Sequence, residues 1–546
     1  MLKSLHYYLF TGFILLFLYP AAAQQTPLKN ISGSFQTDVQ LLFPDSLIGA
    51  EAVDEKVLSN SYLQLSYQQG NFSAGLRYEA YLNPLLGFDR RYEGQGIANR
   101  FASYNTDRLE LTVGNFYEQF GFGNVFRAYQ EWSLGIDNSV DGVRMRFKPV
   151  DGLAIKGILG RQRKFWETSE SLLRGGDLEV NLNELLPSWE EKTTQITLGS
   201  SFLNKFQADD DINLILPENV SAFAGRASIV HQGFNLDAEY AYKINDPFQL
   251  NKFVYNPGQS IYLNMGYVQK GLGILVSARR MDNMDFRSER SVSLQELTLS
   301  FLPAISRLHT YRMTTLYTYA TQFNGEVGGQ ATLIYTIPRK TKLGGKYGTR
   351  IQLNYSRFHG LDTTFTEAPF LYESSFFGDP SLIYFEDANI EITKKWTREL
   401  KTIVSYIYMR YNADVVQLGT RSTNIGVVTT HLAIGEAQYK FNRKLTLRSE
   451  LQWLRTKQDM GSWAMALAEL SVSPNWVISV FDEYNYGNPE PDKRVHYYTA
   501  NIAYAFGPNR MTVGYGRQRS GLLCIGGICR EVPASNGFSF SLMSTF

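Results

Sequence analysis

The 546-residue chain carries 53 basic and 52 acidic residues, so it offers no charge field that would gather a nucleic acid. Beyond its N-terminal segment no run of ~18 apolar residues appears, which excludes a helical membrane protein. Yet 34 Tyr and 35 Phe are spread along the whole length and alternate with polar residues, so one buried core does not account for them.

In chain order, "MLKSLHYYLFTGFILLFLYPAAAQQ" comes first. A lysine, an apolar run from Tyr7 to Tyr19 and the small residues Ala21-Ala22-Ala23 read as a secretory signal peptide over 1–23. The run is too short to span a bilayer and Pro20 ends it. No cysteine follows the cleavage site, so a lipoprotein is not expected. Residues 24–31 form a short periplasmic segment and the first strand starts near Ser32. That leaves no room for an N-terminal plug domain of the energised-receptor kind.

Amphipathic strands then recur to the end. "FSAGLRYEAYL" sets Arg77 and Glu79 on its polar face. "GFNLDAEYAYK" separates Phe234, Leu236, Tyr240 and Tyr242 from Asp237, Glu239 and Lys243. "KLTLRSELQWL" separates Leu445, Leu447, Leu451 and Trp453 from Arg448, Glu450 and Gln452. "YYTANIAYAF", "RMTVGYGRQ" and the terminal "GFSFSLMSTF" repeat the scheme. Period-two alternation over ~10 residues marks a strand with one face in hydrocarbon and the other in a polar space. The connections alternate as well. Short ones lie at 68–71, 104–107, 231–233, 441–444, 473–475 and 507–509. Long polar ones lie at 83–95, 120–140, 164–175, 203–219, 245–257, 281–291, 359–383, 411–428, 486–493 and 519–534.

This pattern predicts an all-β protein: a single large antiparallel transmembrane β-barrel over 32–546, with about 26 strands. Dropping one pair gives ~24 strands, and 176–183, 193–202 and 32–41 are the segments open to that revision. Both termini then fall in the periplasm and the long loops outside. The last strand resembles the signal that the assembly machinery of Gram-negative outer membranes reads, through Phe540, Leu542 and Phe546; Ser544 departs from it.

Charges on the polar faces cannot meet acyl chains and are assigned to the lumen. They are Arg77, Glu79, Arg108, Glu110, Arg144, Arg146, Asp237, Glu239, Arg279, Arg312, Glu391, Arg448 and Glu450, with Asn389 beside them. Pairing between neighbouring strands accounts for most of these. The stretch 115–147 breaks the alternation with Gly121 and Gly123 and gathers seven aromatics around Glu118, Arg127, Glu131, Trp132, Asp137 and Asp141. A solvated loop has nothing to cover such rings, so this one is expected to fold into the barrel mouth as a constriction loop.

Cys524 and Cys529, with Gly526 and Gly527 between them, are expected to form a loop-stiffening disulfide. "ADDDIN" at 208–213 lacks calcium-loop spacing and reads as a solvated acidic loop. The aromatic, proline-containing stretch 365–385 is placed outside, where it either caps the pore or meets a partner. His231, His309, His359, His431 and His496 are far apart and no nucleophile, zinc or phosphate-loop motif accompanies them. No enzyme, metal or cofactor is expected.

Together, "NFYEQFGFG…FRAYQEWSLGIDNSVDGVR" and "CIGGICREVPA" before a final aromatic strand resemble an uncharacterised outer-membrane barrel family of Bacteroidetes. The resemblance implies location and fold, transfers no catalytic residue, and points to a bacterium with a type IX secretion system. Two roles are consistent with it. One is a channel or transporter narrowed by inward loops. The other is a plugged barrel that serves as a platform in surface-protein secretion or envelope assembly, with a surface lipoprotein or secretion component as partner. Outer-membrane lipid and the assembly machinery are partners in either case.

Overall fold

The structure is a computed structural model and describes residues 30–546 except 293–295, 368–369, 418–423 and 526–527; for 523–525 and 528–529 it describes backbone alone. The expected signal peptide therefore lies outside the described residues. Twenty-four strands pair in chain order. They are β1 Ile31–Phe43, β2 Val57–Gln69, β3 Phe72–Leu82, β4 Gly94–Asn105, β5 Leu109–Phe116 and β6 Val140–Phe147. Next come β7 Leu153–Lys164, β8 Leu172–Asn181, β9 Thr194–Phe206, β10 Asn219–His231, β11 Phe234–Lys243 and β12 Gly258–Gln269. The far side is built by β13 Leu272–Asp282, β14 Gly325–Ile337, β15 Thr349–His359, β16 Ile383–Lys395, β17 Leu400–Asn412 and β18 Val427–Lys440. The wall is completed by β19 Leu445–Arg455, β20 Trp463–Val472, β21 Trp476–Tyr484, β22 His496–Phe506, β23 Asn509–Gln518 and β24 Ser535–Thr545.

The sheet closes on itself. β1 pairs with β24 from Ser34↔Thr545 to Phe43↔Asn536. Beyond that register, the Gly33 amide donates to the Phe546 carbonyl at 2.8 Å and the Phe546 amide to the Gly33 carbonyl at 2.9 Å. An open edge in hydrocarbon would leave a row of amides without partners, and closure removes it. Strand parity sorts the side chains as the sequence predicts. On β19, Leu451 is 66% exposed, while its neighbours Glu450 and Gln452 are 3% exposed. Val404, Val113 and Ile502 continue the outward apolar belt. Phe538, Phe540 and Leu542 share the face of Tyr515, Val513 and Met511, so the oily side of the last strand also looks out.

The barrel has 24 strands, the lower of the two expected counts, and the three segments open to revision all correspond to strands, β8, β9 and β1. The difference lies elsewhere. The connection expected at 281–291 continues from the end of β13 at Asp282 to Gly325, where β14 begins. Within it Leu297, Leu299 and Phe301 alternate with Thr298 and Ser300, as in a membrane strand, yet all five are buried. The segment lies in the lumen, where both of its faces meet protein.

Connections between successive hairpins alternate in length. Two residues join β2 to β3, β10 to β11, β12 to β13 and β22 to β23. The opposite end carries the long segments, including residues 117–139 between β5 and β6. Besides the short strands within 117–139, a two-residue strand, Glu167–Thr168, pairs with the end of β7.

Candidate functional site

Two of the long segments turn inward and meet in the lumen: residues 117–139, here the first inward segment, and the described residues of 283–324 (283–292 and 296–324), the second. The first is bent at Gly121, whose φ is +50°; a Cβ there would stand 2.2 Å from Glu239 Oε2 on the wall. Only glycine allows both the left-handed backbone and that approach. Glu239 then accepts from the Phe122 amide at 3.0 Å and from Asn124 Nδ2 at 2.5 Å. Glu118 pairs with Arg146 at 2.7 Å and with Lys156 at 3.3 Å.

A buried ion cluster pins the return of this segment. Asp137 pairs with Arg77 and, at 2.6 Å, with Arg163, and Glu79 bonds both arginines at 2.7 Å. The Tyr117 hydroxyl donates to Asp137 at 2.9 Å. Burial alone would raise the Asp137 carboxyl, but Arg163 and Arg77, with the Ser139 amide and Tyr117, hold it below the usual carboxylate value. Trp132 sets its ring 3.8 Å from that of Tyr62, with the Arg77 guanidinium over it at 5.4 Å. Glu131 caps the short turn that follows by accepting from Ser133 Oγ at 2.7 Å. Arg127 lies over the rings of Tyr129 and Phe301.

The second inward segment docks on the first through Arg127 N to Leu299 O (2.8 Å) and Phe301 N to Gly123 O (3.2 Å). It then crosses the barrel. On one side Glu289 meets Lys164 of β7 at 2.5 Å, and Arg290 shares Asp246 with the fully buried Lys205 of β9. On the other side Arg307 pairs with Glu391 and donates to Asn389 at 2.6 Å, while His309 pairs with Asp387 at 2.6 Å, all three on β16. Further along, the Met313 amide donates to Gln452 of β19 at 2.9 Å, and Arg312 pairs with Glu483 of β21. Contacts from β7 around to β21 mean that the segment bridges the lumen. Apolar packing fills in around these polar ties. Tyr319 stacks on Phe358 and Phe385, and Met313, Leu316 and Tyr317 join Met409, Leu454 and Trp463 in one buried cluster. Phe120, Phe126, Phe286 and Leu299 join Leu173, Leu203 and Val220 in another.

Several of the charges assigned to the lumen are paired with or bonded to neighbours within the chain. Glu110 meets Arg144, Glu450 and Glu436 meet Arg448, Asp237 accepts from Ser228 Oγ at 2.7 Å, and Arg279 meets Glu326 at 2.6 Å. Three residues stand elsewhere. Arg108 lies in the turn after β4 and donates to the Pro149 carbonyl at 2.5 Å, because that strand ends before it. Arg312 belongs to the second inward segment and not to a strand. Asp141 shares the outward face of Val143 and Met145 and pairs with the exposed Arg100 at 3.2 Å, so it is no part of the constriction. Sequence reasoning did not single out Arg163, Glu326, Asp387 or Glu483. Parity puts Arg163 with the exposed Leu159, so alternation gives no signal for it.

Cys524 and Cys529 stand opposite each other in a short ribbon of Gly521–Ile525 and Ile528–Val532; their side chains lie outside those described. Asp209 and Asp211 accept from nearby backbone amides, and among the described residues no group of three His, Cys, Asp or Glu is placed to hold a metal. Thr363–Phe365 and Tyr372–Ser374 form a hairpin, which Asn256 ties to the neighbouring loop through the Tyr372 carbonyl at 2.7 Å.

A family model spanning residues 2–546 matches the chain: DUF6029, described as a family of unknown function. The chain belongs to that family. A search of curated proteins finds no match. Among solved structures the chain is similar to the siderophore receptor PirA from Pseudomonas aeruginosa, at 11% identity over 96% of this chain and 81% of that one, with a TM-score of 0.41. It is also similar to a variant of the ferric enterobactin receptor of the same bacterium in complex with enterobactin (12%, 95% and 81%, TM-score 0.42). A Rh. blastica porin variant aligns at 14% identity over 64% of this chain and 100% of its own, with a TM-score of 0.26. These are likenesses of backbone course and assign no cargo.

Proposed function

We propose that this DUF6029 member is a gated outer-membrane transport barrel of a Gram-negative, Bacteroidetes-type envelope, exported behind the 1–23 signal and inserted with both termini in the periplasm. An even strand number with the short turns on the side of the termini supports that orientation. One observation carries the reading. The second inward segment spans a lumen too wide for wall side chains to fill, and the residues of its tip, Arg307 and His309, are held to β16 by polar contacts. Water and polar solutes compete for such contacts, so they can be exchanged without dismantling the wall. The apolar clusters behind the tip favour the alternative, a permanently plugged platform for a surface lipoprotein or secretion component.

Planar-bilayer recordings separate the two. The intact barrel is expected to give small or rare conductance steps. Replacing 286–322 by a short Gly-Ser linker should give large, persistent ones. The double change Arg307→Ala and His309→Ala, which leaves the apolar packing in place, should raise the open fraction. A folded linker variant that stays silent refutes transport, and a partner that copurifies with the intact barrel and is lost from that variant supports the platform.

A further inference from the structure

Beneath the first inward segment, against β2–β6, lies a cavity of about 440 Å³, inside the range of small-molecule sites (roughly 300–1,000 Å³). Tyr117 and Gln130 of the inward segment roof it and wall residues line the rest. The charges that reach it are already matched within the protein: Arg144 by Glu110, and Arg77 by Glu79 and Asp137. Of the uncharged groups, Ser103 pairs with Thr112, Asn115 accepts from the Arg100 amide, and Tyr117 and Gln130 join the Arg77 cluster, which leaves four. Gln64, Ser73, Asn99 and Asn105 line the cavity and make no side-chain hydrogen bond to the described chain, although Asn99 is only 7% exposed. Gln64 and Asn105 are exposed and Ser73 is half-buried, so these side chains keep their hydrogen-bonding atoms open to a solute that enters.

An aromatic ring also lines the cavity where lumen parity calls for a polar residue. Phe101 lies over Gly75, its cross-strand partner, and a Cβ on Gly75 would stand 2.5 Å from the ring. The glycine makes room for the half-buried ring to lie against the wall.

We propose that this cavity binds a neutral polyhydroxylated solute of sugar size, with Phe101 as the platform for its C–H face and Gln64, Ser73, Asn99 and Asn105 as hydroxyl partners. A charged solute finds no unmatched counter-charge there. An apolar one leaves four polar groups without partners, the arrangement by which such sites reject analogues. The proposal rests on the transport reading only in that it names the cargo class.

The test is calorimetric titration of the intact barrel in detergent with glucose and maltose, and with gluconate, glucosamine and diglycine as matched controls. Binding of the neutral sugars alone is expected, weakened roughly tenfold or more by Phe101→Ala and by Gly75→Ala, which displaces the ring. Gln64→Leu, a milder change that keeps the barrel's heat-dependent gel mobility, should weaken it too. Equal binding of gluconate or glucosamine, no binding of either sugar, or affinity unchanged in both Phe101→Ala and Gln64→Leu overturns the proposal. Bilayer recordings of the linker variant with maltose separate the two failures. Steps without sugar binding sink the site alone, and sugar binding without steps sinks transport and leaves the site standing.

Discussion

Asp137 shows what a single residue decides in this lumen. Its side chain is only 7% exposed between Arg77 and Arg163, and its ionised form helps to neutralise them. Taking one partner from a buried ion pair costs about 3–5 kcal/mol, mostly because the remaining charge is stranded. Asp137→Asn is therefore expected to loosen residues 117–139 without opening the barrel, seen as new protease cleavage in that segment with gel mobility unchanged. The same residue sets a pH dependence. Its carboxyl titrates lower when docked than when free, so the docking contribution is full above the free value near ~3.9 and is lost as pH falls through the lower, docked value. A spin label at Ser133 should stay immobile from neutral pH down to about pH 4 and become mobile only below it. Release near neutral pH would mean that Asp137 does not hold the segment. The importance of Asp137 was readable from its place among aromatics, whereas its partner Arg163 was not, because the end of β7 departs from the parity that governs the rest of the strand.

At the scale of an element, the second inward segment explains where alternation misleads. Leu297, Leu299 and Phe301 have the spacing of a membrane strand, and no local property distinguishes them from the outward residues of β19. What differs is the environment: the intervening Thr298 and Ser300 also meet protein, with Gln162 donating to the Thr298 carbonyl at 2.9 Å. The lumen faces of β17–β20 hold a matching exception, since Ile407, Met409, Leu432, Leu454 and Trp463 are apolar and buried on the side where polarity was expected. Such a double-faced apolar strand is a sequence sign of a filled lumen. Trp463→Ala leaves a cavity beside Tyr497 in the buried cluster that also holds Tyr317, and large aromatic truncations cost about 3–5 kcal/mol. The expected outcome is a lower urea midpoint together with a raised open fraction in bilayer recordings. A lowered midpoint with unchanged conductance would place the cluster in the wall's stability and not in closure.

For the molecule as a whole, the organising fact is a closed wall with two solvents. An arginine on the lipid face near mid-bilayer costs about 2–4 kcal/mol, and in the lumen it costs little. Leu451→Arg should lower the yield of folded barrel in lipid vesicles, while Thr446→Arg, on the lumen face of the same strand, should leave it near that of the parent. Equal effects would mean that the two faces of β19 do not meet different media. The twelve hairpins share this logic, so the barrel tolerates exceptions only where the lumen is packed.

Alternation and turn spacing by themselves determined that this chain is a closed antiparallel barrel and which face of most strands looks outward, and the aromatic, glycine-broken stretch 115–147 was expected to fold inward. These are local properties, set by a period of two against a medium that rewards only one face. The strand number, the second inward segment and the partners of Asp137, Arg307 and Phe101 were decided by the tertiary structure alone. Each depends on which residues distant in sequence share one enclosed space, and a lumen filled by its own chain presents a buried apolar residue with the same environment whether it sits in a wall or a plug.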